Sequence, residues 1–445
     1  MRKLLCFICM IICVSNIGYS QSKFTLQTKK GKDKIRFQLI NNLIIIPVEV
    51  NGATLSFLLD TGVSRPIIFN YLNVSDSLKI KDTETILLKG LGEGEPVEAL
   101  RSNNNIIKIG EAIKINQELY AIFDPSLSFA PRLGVPVHGI IGYDVFKDFI
   151  VEINYISKYI TLTNPEDYVY KKCKKCSSLN LEFYNNKPYI NGLVKIDNKE
   201  IPVKLLIDSG GSDALWLFED EGLGIKSNKK YFNDFLGHGL SGSVYGKRSK
   251  IDEFSLKNFK FRRANVAFPD SISIVYAKLH RGRNGSLGAD ILKRFNLIVD
   301  YRKARITLKR NSNYNDRFSY NKSGIEVEHN GVMLVREEDN NFASDRLIGK
   351  SAGASTNSNI VIETQYKLAL KPAYSIVELR KGSPAEKSGL QIGDVILTIN
   401  GNSTSNLKLQ DVVQLFYQES GKRIKLRVDR KGIILFYEFI LKSLF

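Results

Sequence analysis

The amino-acid sequence predicts a mainly β protein, with two similar β lobes followed by a smaller β domain that contains two helices. Short apolar runs separated by Gly and Asn fill most of the 445 residues, which is the pattern of β-strands joined by turns. One acidic turn also occurs twice, each time at the end of an apolar run, as Asp60-Thr61-Gly62 and as Asp208-Ser209-Gly210. Each copy follows a predicted hairpin, whose turn lies at Asn51-Gly52 or at Asp197-Asn198.

The segments that follow the two acidic turns also correspond to each other. Residues 139–144 read Gly-Ile-Ile-Gly-Tyr-Asp, and residues 285–290 read Gly-Ser-Leu-Gly-Ala-Asp. The correspondence continues without a gap to Ile-Thr-Leu at 160–162 and at 306–308. Asp, Ser and Gly are common in ordinary turns, so the acidic tripeptide alone carries little information. The matched segments, however, predict an internal duplication with the two acidic turns at equivalent positions.

These features resemble the aspartic proteases, in a form where two retroviral-protease-like lobes are fused in one chain. The Gly-Ile-Ile-Gly and Gly-Ser-Leu-Gly sequences match the hydrophobic-glycine element that lies behind the catalytic turn in that family. The resemblance covers roughly residues 35–310 and implies the bilobal acid-protease β-barrel fold. It places lobe one at 35–165, a connector at 166–178 and lobe two at 179–310.

The resemblance also implies a role for every residue of the two turns. Two carboxylates held close together cannot both ionise cheaply, so they share one proton. The ionised member acts as general base on a water molecule, and the protonated member donates to the scissile carbonyl oxygen. This chemistry requires no cofactor and no metal. The residues concerned are the catalytic Asp60 and Asp208 and the supporting Thr61, Gly62, Ser209 and Gly210.

Two glycine-rich segments are candidates for the β-hairpin flaps that close over the substrate in that family. They lie at 88–94 in lobe one, around Gly92, and at 236–242 in lobe two, around Gly239. The alternative is that both segments are ordinary loops between strands. A serine nucleophile is not indicated at Ser241, because the Gly-x-Ser-x-Gly turn of such enzymes is absent.

The N-terminus has the layout of a secretory signal peptide. Arg2-Lys3 precede an apolar run from Leu4 to Ile17, and small residues follow it, so we expect residues 1–20 to be cleaved off. The residues before Cys13 fit a lipoprotein signal poorly. Residues 21–34 are polar and predict a loose arm. The mature protein is therefore expected to be exported, to the periplasm, the cell surface or the medium, with no transmembrane span.

Cys173 and Cys176 are the only cysteines beyond the signal peptide. In an exported protein, such a Cys-x-x-Cys pair most simply forms a local disulfide. A redox-active site is the sharper alternative, but the pair lies in a lysine-rich connector instead of at the start of a helix. Zinc would need two further ligands, and the four histidines of the chain have no suitable spacing.

The formal net charge of +18 is spread along the chain and does not form a basic block. No nucleic-acid recognition motif accompanies it, so we do not expect a nucleic-acid partner. The charge is consistent with solubility or with adhesion to an anionic surface.

The C-terminal region, at 322–445, contains a second recognisable pattern. Residues 382–389 read as a short helix with a Ser N-cap, Pro at the first position and Gly at the end. Residues 393–401 read as a strand that ends in an Asn-Gly hairpin turn. The stretch at about 336–360 is rich in Ser, Asn and charge and predicts a flexible insertion.

This order of elements resembles a PDZ domain of the kind found in bacterial proteases, most specifically over residues 374–401. The resemblance implies a small β-barrel with two helices and a groove for a C-terminal peptide. The carboxylate-binding loop would lie near Gly324 and Ile325, on the far side of the insertion. The alternative is a docking module without a free peptide groove.

Together, these patterns predict an exported aspartic endopeptidase that is a monomer, cleaves polypeptides and uses a PDZ module to select substrates or partners. The alternative is a peptide-binding protein that uses the bilobal cleft and the PDZ domain without cleavage. A processing factor with a single native target is a third interpretation. The sequence does not separate it from the first.

Overall fold

The computed structural model describes residues 23–69, 78, 80–124, 127–280, 282–338 and 366–445. The predicted signal peptide at 1–20 lies outside the described residues. The described residues form four β-sheets with short helices between strands, so the predicted mainly β fold is confirmed. No helix among them has the length and apolar character that crossing a bilayer requires.

The first sheet has nine strands and forms most of lobe one. Its strands, numbered in chain order through the whole protein, are β1 (Thr25–Leu26), β3 (Gln38–Ile40), β4 (Leu43–Val50), β5 (Ala53–Leu59), β6 (Ile67–Phe69), β7 (Thr83–Leu88), β8 (Val97–Ile109), β9 (Ala112–Ile122) and β10 (Gly139–Ile141). They are ordered β1-β9-β6-β10-β5-β4-β8-β7, with β3 beside β4. Asn51 and Gly52 have positive φ and join β4 to β5, which confirms the first predicted hairpin.

The second sheet has six strands and joins the two lobes. Its strands are β2 (Lys32–Arg36), β11 (Ile150–Asn154), β12 (Tyr159–Thr163), β13 (Cys176–Asn180), β24 (Phe295–Asp300) and β25 (Arg305–Arg310). In the order β13-β25-β24-β11-β12-β2, the central antiparallel pair places Val151 of lobe one opposite Val299 of lobe two. Buried apolar side chains of both lobes therefore form one continuous core.

The third sheet has ten strands and forms most of lobe two. Its strands are β14 (Glu182–Tyr184), β15 (Lys187–Ile196), β16 (Lys199–Asp208), β17 (Leu215–Leu217), β18 (Phe232–Gly239), β19 (Gly242–Lys250), β20 (Glu253–Leu256), β21 (Phe259–Arg262), β22 (Asn265–Pro269) and β23 (Gly285–Gly288). They are ordered β18-β19-β22-β17-β23-β16-β15-β20-β21, with β14 beside β15. Asp197 and Asn198, both with positive φ, join β15 to β16, which confirms the second predicted hairpin.

The fourth sheet belongs to the C-terminal domain, which has its own apolar core. Its strands are β26 (Ile325–Glu338), β27 (Tyr366–Leu379), β28 (Val395–Ile399), β29 (Asn402–Ser403), β30 (Arg423–Arg430) and β31 (Ile433–Ile440). They are ordered β26-β27-β28-β30-β31, with β29 beside β28. The predicted turn at Asn400-Gly401 and the predicted helix cap at Ser383 are both present, since the Ser383 hydroxyl accepts from the amide of Glu386 at 3.2 Å.

Helices are short throughout the described residues. They are α1 (Ala130–Leu133) and α2 (Tyr143–Asp148) in lobe one, α3 (Ala289–Leu292) in lobe two, and α4 (Pro384–Lys387) and α5 (Leu409–Phe416) in the C-terminal domain. Single 3-10 turns occur at Ser271–Ile274, Ala277–Leu279, Ser312–Asn315 and Thr404–Asn406.

Two predictions differ from the structure. The described part of the polar segment predicted as a loose arm, residues 23–34, is instead held in two sheets, because β1 pairs with β9 and β2 pairs with β12 at the end of the joining sheet. Both strands lie at sheet edges, where polar side chains are tolerated, so their sequences lack the alternation of apolar and polar residues that predicts a strand. The predicted insertion at about 336–360 also begins too early, because β26 continues to Glu338. The rest of that prediction falls within 339–365, outside the described residues.

Candidate active site

Each acidic turn is positioned at the end of a strand by a parallel neighbour. β5 ends at Leu59, which lies opposite Ile141 of the parallel strand β10. The amide of Asp60 extends this pairing by donating to the carbonyl of Ile141 at 2.8 Å. In lobe two, β16 ends at Asp208, which lies opposite Gly288 of the parallel strand β23. Both aspartates therefore leave their sheets at equivalent places.

Gly142, just after β10, and Gly288, the last residue of β23, allow the chain to pass close behind each turn. A Cβ on Gly142 would lie 1.8 Å from the carbonyl oxygen of Asp60. A Cβ on Gly288 would lie 2.2 Å from the carbonyl oxygen of Asp213. Neither position has room for any side chain, so the Gly residues of the duplicated sequence pattern have a steric role.

Thr61 and Ser209 connect the two turns by reciprocal hydrogen bonds. The amide of Thr61 donates to Ser209 Oγ at 3.0 Å, and the amide of Ser209 donates to Thr61 Oγ1 at 3.1 Å. Each hydroxyl then donates to a carbonyl of the opposite lobe, Thr61 to Ile207 at 2.7 Å and Ser209 to Leu59 at 2.9 Å. Both side chains are buried, so these bonds are shielded from water and fix the relative position of the turns.

The carboxylates of Asp60 and Asp208, hereafter the dyad, border one small space. A Cβ on Gly210 would lie 2.4 Å from Asp60 Oδ2, so the Asp60 carboxylate rests against the main chain of lobe two. A Cβ on Gly62 would lie 3.1 Å from Asp60 Oδ1 and 3.7 Å from Asp208 Oδ1. The amide of Gly62 also donates to Asp60 Oδ1 at 2.7 Å. The structure therefore brings all six predicted residues of the two turns together.

The surroundings of the dyad favour the uptake of a proton. Burial, together with the charge of Asp208, raises the pKa of Asp60 to about 7. Burial also raises the pKa of Asp208. The amide of Gly210 lowers both pKa values, because it donates to the ionised carboxylates. Two groups this close titrate as a pair, which holds one proton over a range of pH and can supply an acid and a base at once.

Two cations beside the dyad, Lys187 and Arg283, were not among the predicted site residues. The charge of Lys187 lowers the pKa of both carboxyl groups, and the charge of Arg283 lowers that of Asp208. A signal for Lys187 was present in the sequence. Asn185-Asn186-Lys187 precedes the second acidic turn as Asn41-Asn42-Leu43 precedes the first, so a cation stands where the other lobe has Leu.

The two predicted flap segments form hairpin tips that meet each other. The tip between β7 and β8 and the tip between β18 and β19 are joined at Ser241, whose amide donates to the carbonyl of Leu91 at 2.9 Å. The carbonyl of Ser241 accepts from the amide of Gly94 at 2.7 Å. Cβ atoms on Gly92 and Gly239 would lie 2.4 Å from the Ser241 carbonyl oxygen and 2.2 Å from that of Leu91. Both predicted glycines therefore lie at the contact between the tips.

Cys173 and Cys176 form a disulfide in the connector, and Cys176 begins β13 at one edge of the sheet that joins the lobes. The bond closes a short local loop beside the start of lobe two. The disulfide therefore restricts the conformation of the connector just before β13.

The predicted carboxylate-binding loop of the C-terminal domain has its amides bonded within the loop. The side-chain oxygen of Asn321 accepts from the amides of Ser323 at 2.9 Å and Gly324 at 3.2 Å. The amide of Ile325 donates to Ser323 Oγ at 3.0 Å. The amides of Ser323, Gly324 and Ile325 therefore already have acceptors within the chain.

Lobe one also contacts an end strand of the C-terminal sheet. PDZ domains take up a peptide as an additional strand on an exposed sheet edge, and β26 is the end strand of its sheet. Helix α1 packs against β26, and Arg132 forms an ion pair with Glu328 at 2.6 Å. Gln410 of α5 donates to the carbonyl of Leu133 at 2.5 Å. Helix α1 of lobe one is therefore bonded to both β26 and α5 of the C-terminal domain.

Comparison with known proteins agrees with this geometry in two regions. Residues 46–145 match the family described as aspartyl protease, and the match includes Asp60 and the strand pair behind it. Residues 375–430 match the PDZ domain. The chain therefore combines an aspartyl protease domain with a C-terminal PDZ domain, as the sequence predicts.

One known protease is similar to a short part of the chain. The carboxy-terminal processing protease CtpA of Bacillus subtilis (strain 168) is 38% identical over 58 residues. The match covers 13% of this chain and 12% of that protein, so the chain spans about an eighth of the relative's length. The similarity is therefore local.

Proposed function

We propose that the chain is an aspartic endopeptidase in which Asp60 and Asp208 activate a water molecule between two lobes. The observation that carries the proposal is the placement of both half-buried carboxylates against one small space, where the surroundings raise the pKa of Asp60 to about 7. The aspartyl protease match at 46–145 supports the same chemistry for lobe one. We also propose that lobe two arose by internal duplication, because its acidic turn is built with the same strand pairing.

In the proposed reaction, the ionised carboxylate removes a proton from water as the water oxygen attacks the scissile carbonyl carbon. The protonated carboxyl donates its proton to the carbonyl oxygen, which gives a neutral tetrahedral diol and leaves the dyad with one proton. In the collapse of the diol, the ionised carboxylate takes a proton from one diol hydroxyl as the carbonyl re-forms and the C–N bond breaks, and the protonated carboxyl gives its proton to the leaving nitrogen. The Thr61–Ser209 bonds keep the carboxylates in place through these steps.

The flap tips would have to separate for a peptide to enter between them and the dyad. The hydrogen bonds at Ser241 are few and lie between hairpin tips, where local opening is inexpensive. We propose that the substrate replaces the contacts between the tips and that the tips then close over it.

The PDZ domain is proposed to select substrates or partners. A C-terminal peptide that entered along β26 would displace helix α1 and the side-chain oxygen of Asn321. A ligand of this kind would therefore act on lobe one directly, since α1 is part of that lobe. We further propose that the protein is exported after removal of residues 1–20 and acts as a monomer.

The proposal is tested by incubating the mature protein with a peptide library from acidic to mildly alkaline pH, with and without pepstatin. Pepstatin-sensitive cleavage that disappears in Asp208→Asn is the expected result. Retention of peptides without cleavage would favour the alternative, a peptide-binding protein. Mass spectrometry of the secreted protein tests the export proposal, which requires an N-terminus at residue 21.

A further inference from the structure

Lys187 occupies the position in lobe two that Leu43 occupies in lobe one. In lobe one, Ile45 pairs with Leu58, and the same register places Leu43 opposite Asp60. In lobe two, Tyr189 pairs with Leu206, and the same register places Lys187 opposite Asp208. Residues directly opposite each other on antiparallel strands project from the same face, with Cβ atoms about 5 Å apart. The side chain of Lys187 therefore starts on the face that carries the Asp208 carboxylate.

The ammonium group of Lys187 has no hydrogen bond or ion pair with any residue that the structure describes. Burial lowers its pKa, and so does the nearby positive charge of Arg283, while the dyad acts in the opposite direction. Lys187 is only half-buried, so its ammonium group can be reached by an incoming anion and has donors to offer it.

Arg283 is positioned by the strand that supports Asp208. It lies two residues before β23, donates through Nε to the carbonyl of Gly285 at 3.1 Å and donates through Nη2 to Ser286 Oγ at 2.8 Å. Its guanidinium lies 5.2 Å from the centre of the Phe218 ring. Val137, two residues before the corresponding strand of lobe one, is buried in the same apolar cluster as Leu43.

The two sides of the dyad are therefore chemically different. At equivalent positions, lobe one has the apolar residues Leu43 and Val137, and lobe two has Lys187 and Arg283, whose charges act on Asp208. A dyad that shares one proton carries one negative charge, so two neighbouring cations leave an excess of one positive charge. A carboxylate from the substrate would balance it.

We infer that Lys187 and Arg283 form a carboxylate-binding subsite on the lobe-two side of the dyad, so that peptides with a carboxylate beside the scissile bond are preferred. The inference rests on the proposed endopeptidase function and names its substrate class. The carboxylate can come from a Glu or Asp side chain or from the C-terminus of a short peptide, and both sources offer the same group to the two cations.

The test compares matched peptides with Glu or Gln at each position next to the scissile bond. Both peptides are cleaved by the same dyad, so the ratio of their kcat/KM values cancels any effect of a variant on the dyad itself. We expect the wild type to prefer Glu by roughly tenfold to a hundredfold, the range for a charge-assisted hydrogen bond. A second pair, with a free or amidated C-terminus after the scissile bond, shows which source of carboxylate is used.

Lys187→Leu introduces the residue found at the equivalent position of lobe one. We expect it to reduce the ratio of the kcat/KM values for the Glu and Gln peptides to about one, and we expect the same of Arg283→Met. Lys187→Arg should keep most of the preference. Lys199→Met is the matched control, because Lys199 is exposed at the far end of β16, and it should leave the ratio unchanged. A wild-type ratio near one in every peptide pair, or a ratio that survives both substitutions, would overturn the inference.

Failure of the proposed function gives a different result, namely that no peptide is cleaved by the wild type. In that case, the test uses peptides with Glu or Gln in which the scissile amide is replaced by an uncleavable reduced bond. Their binding affinities show whether the subsite favours a carboxylate, because no catalysis is involved. Tighter binding of the Glu peptide, lost in Lys187→Leu, supports it. Equal binding overturns it.

Discussion

The amide of Thr61 donates to Ser209 Oγ while the amide of Ser209 donates to Thr61 Oγ1, at 3.0 and 3.1 Å. Each turn thus supplies a donor and an acceptor to the other, and neither turn has its complete set of bonds alone. The position of each carboxylate consequently depends on the opposite lobe.

Thr61→Val and Ser209→Ala should each lower the free energy of unfolding by about 1–3 kcal/mol, because each leaves one buried backbone amide without its acceptor and one carbonyl without its donor. Urea unfolding measures this change. Thr61→Ser keeps the hydroxyl and is the control, which should lose much less. Loss of catalytic rate in Thr61→Val at temperatures where it remains folded would connect the bonds to the geometry of the dyad. An unchanged stability in both variants would contradict the structural role assigned to them.

Asp60→Asn and Asp208→Asn should each reduce kcat by at least about a hundredfold, since a carboxamide cannot exchange the shared proton. The fold should persist, because Asn has nearly the same shape. Circular dichroism checks the fold, and cleavage of a reporter peptide checks the rate. Full activity in either variant would exclude the shared-dyad mechanism.

The cleavage rate should fall as the pH rises above about 7, the value to which burial and Asp208 raise the pKa of Asp60. Below this pH the dyad keeps its shared proton, and above it both carboxylates are ionised and the general acid is lost. The charge of Lys187 lowers the pKa of Asp60. Lys187→Leu should therefore move the alkaline limb of the kcat/KM profile to higher pH. An unshifted limb, or a shift to lower pH, would show that Lys187 does not act on the dyad.

Gly92→Ala should weaken the contact between the two flap tips, because the new Cβ would lie 2.4 Å from the Ser241 carbonyl and the φ of Gly92 is +119°. We expect a loss of up to about a hundredfold in kcat/KM, from poorer closure over the substrate, with little change in the unfolding midpoint. Glu95→Ala, an exposed change in the same tip, is the control. Equal activity of the two variants would argue against a role of the tips in catalysis.

The ion pair between Arg132 and Glu328 should couple lobe one to the PDZ domain. Both side chains are partly buried, so a double-mutant cycle of Arg132→Ala and Glu328→Ala should give a coupling free energy of about 1 kcal/mol. Thermal unfolding in low and high salt measures it, and high salt should reduce it. Additive effects of the two substitutions would mean that the pair does not stabilise the interface.

Much of the fold could be predicted because its signals are local. Hairpins at Asn51-Gly52 and Asp197-Asn198 and the capped helix after Ser383 depend on residues close in sequence, and all of them are present. The N-terminal strands β1 and β2 were not predicted, since their stability comes from pairing with β9 and β12, distant in sequence. The extent of β26 was underestimated because its partner β27 lies beyond the insertion.

The sequence by itself determined the chemistry of the two acidic turns, because an Asp, a hydroxyl and a glycine at the end of each strand are read directly from neighbouring residues. Only the tertiary structure decided what surrounds them. Strand pairing places Lys187 opposite Asp208, bonds to Gly285 and Ser286 direct the guanidinium of Arg283, and helix α1 packs against β26 through contact between two domains. These relationships depend on the packing of segments far apart in the chain. The Asn-Asn pair before Lys187 and before Leu43 marks equivalent positions in the sequence, but it does not show what either side chain faces.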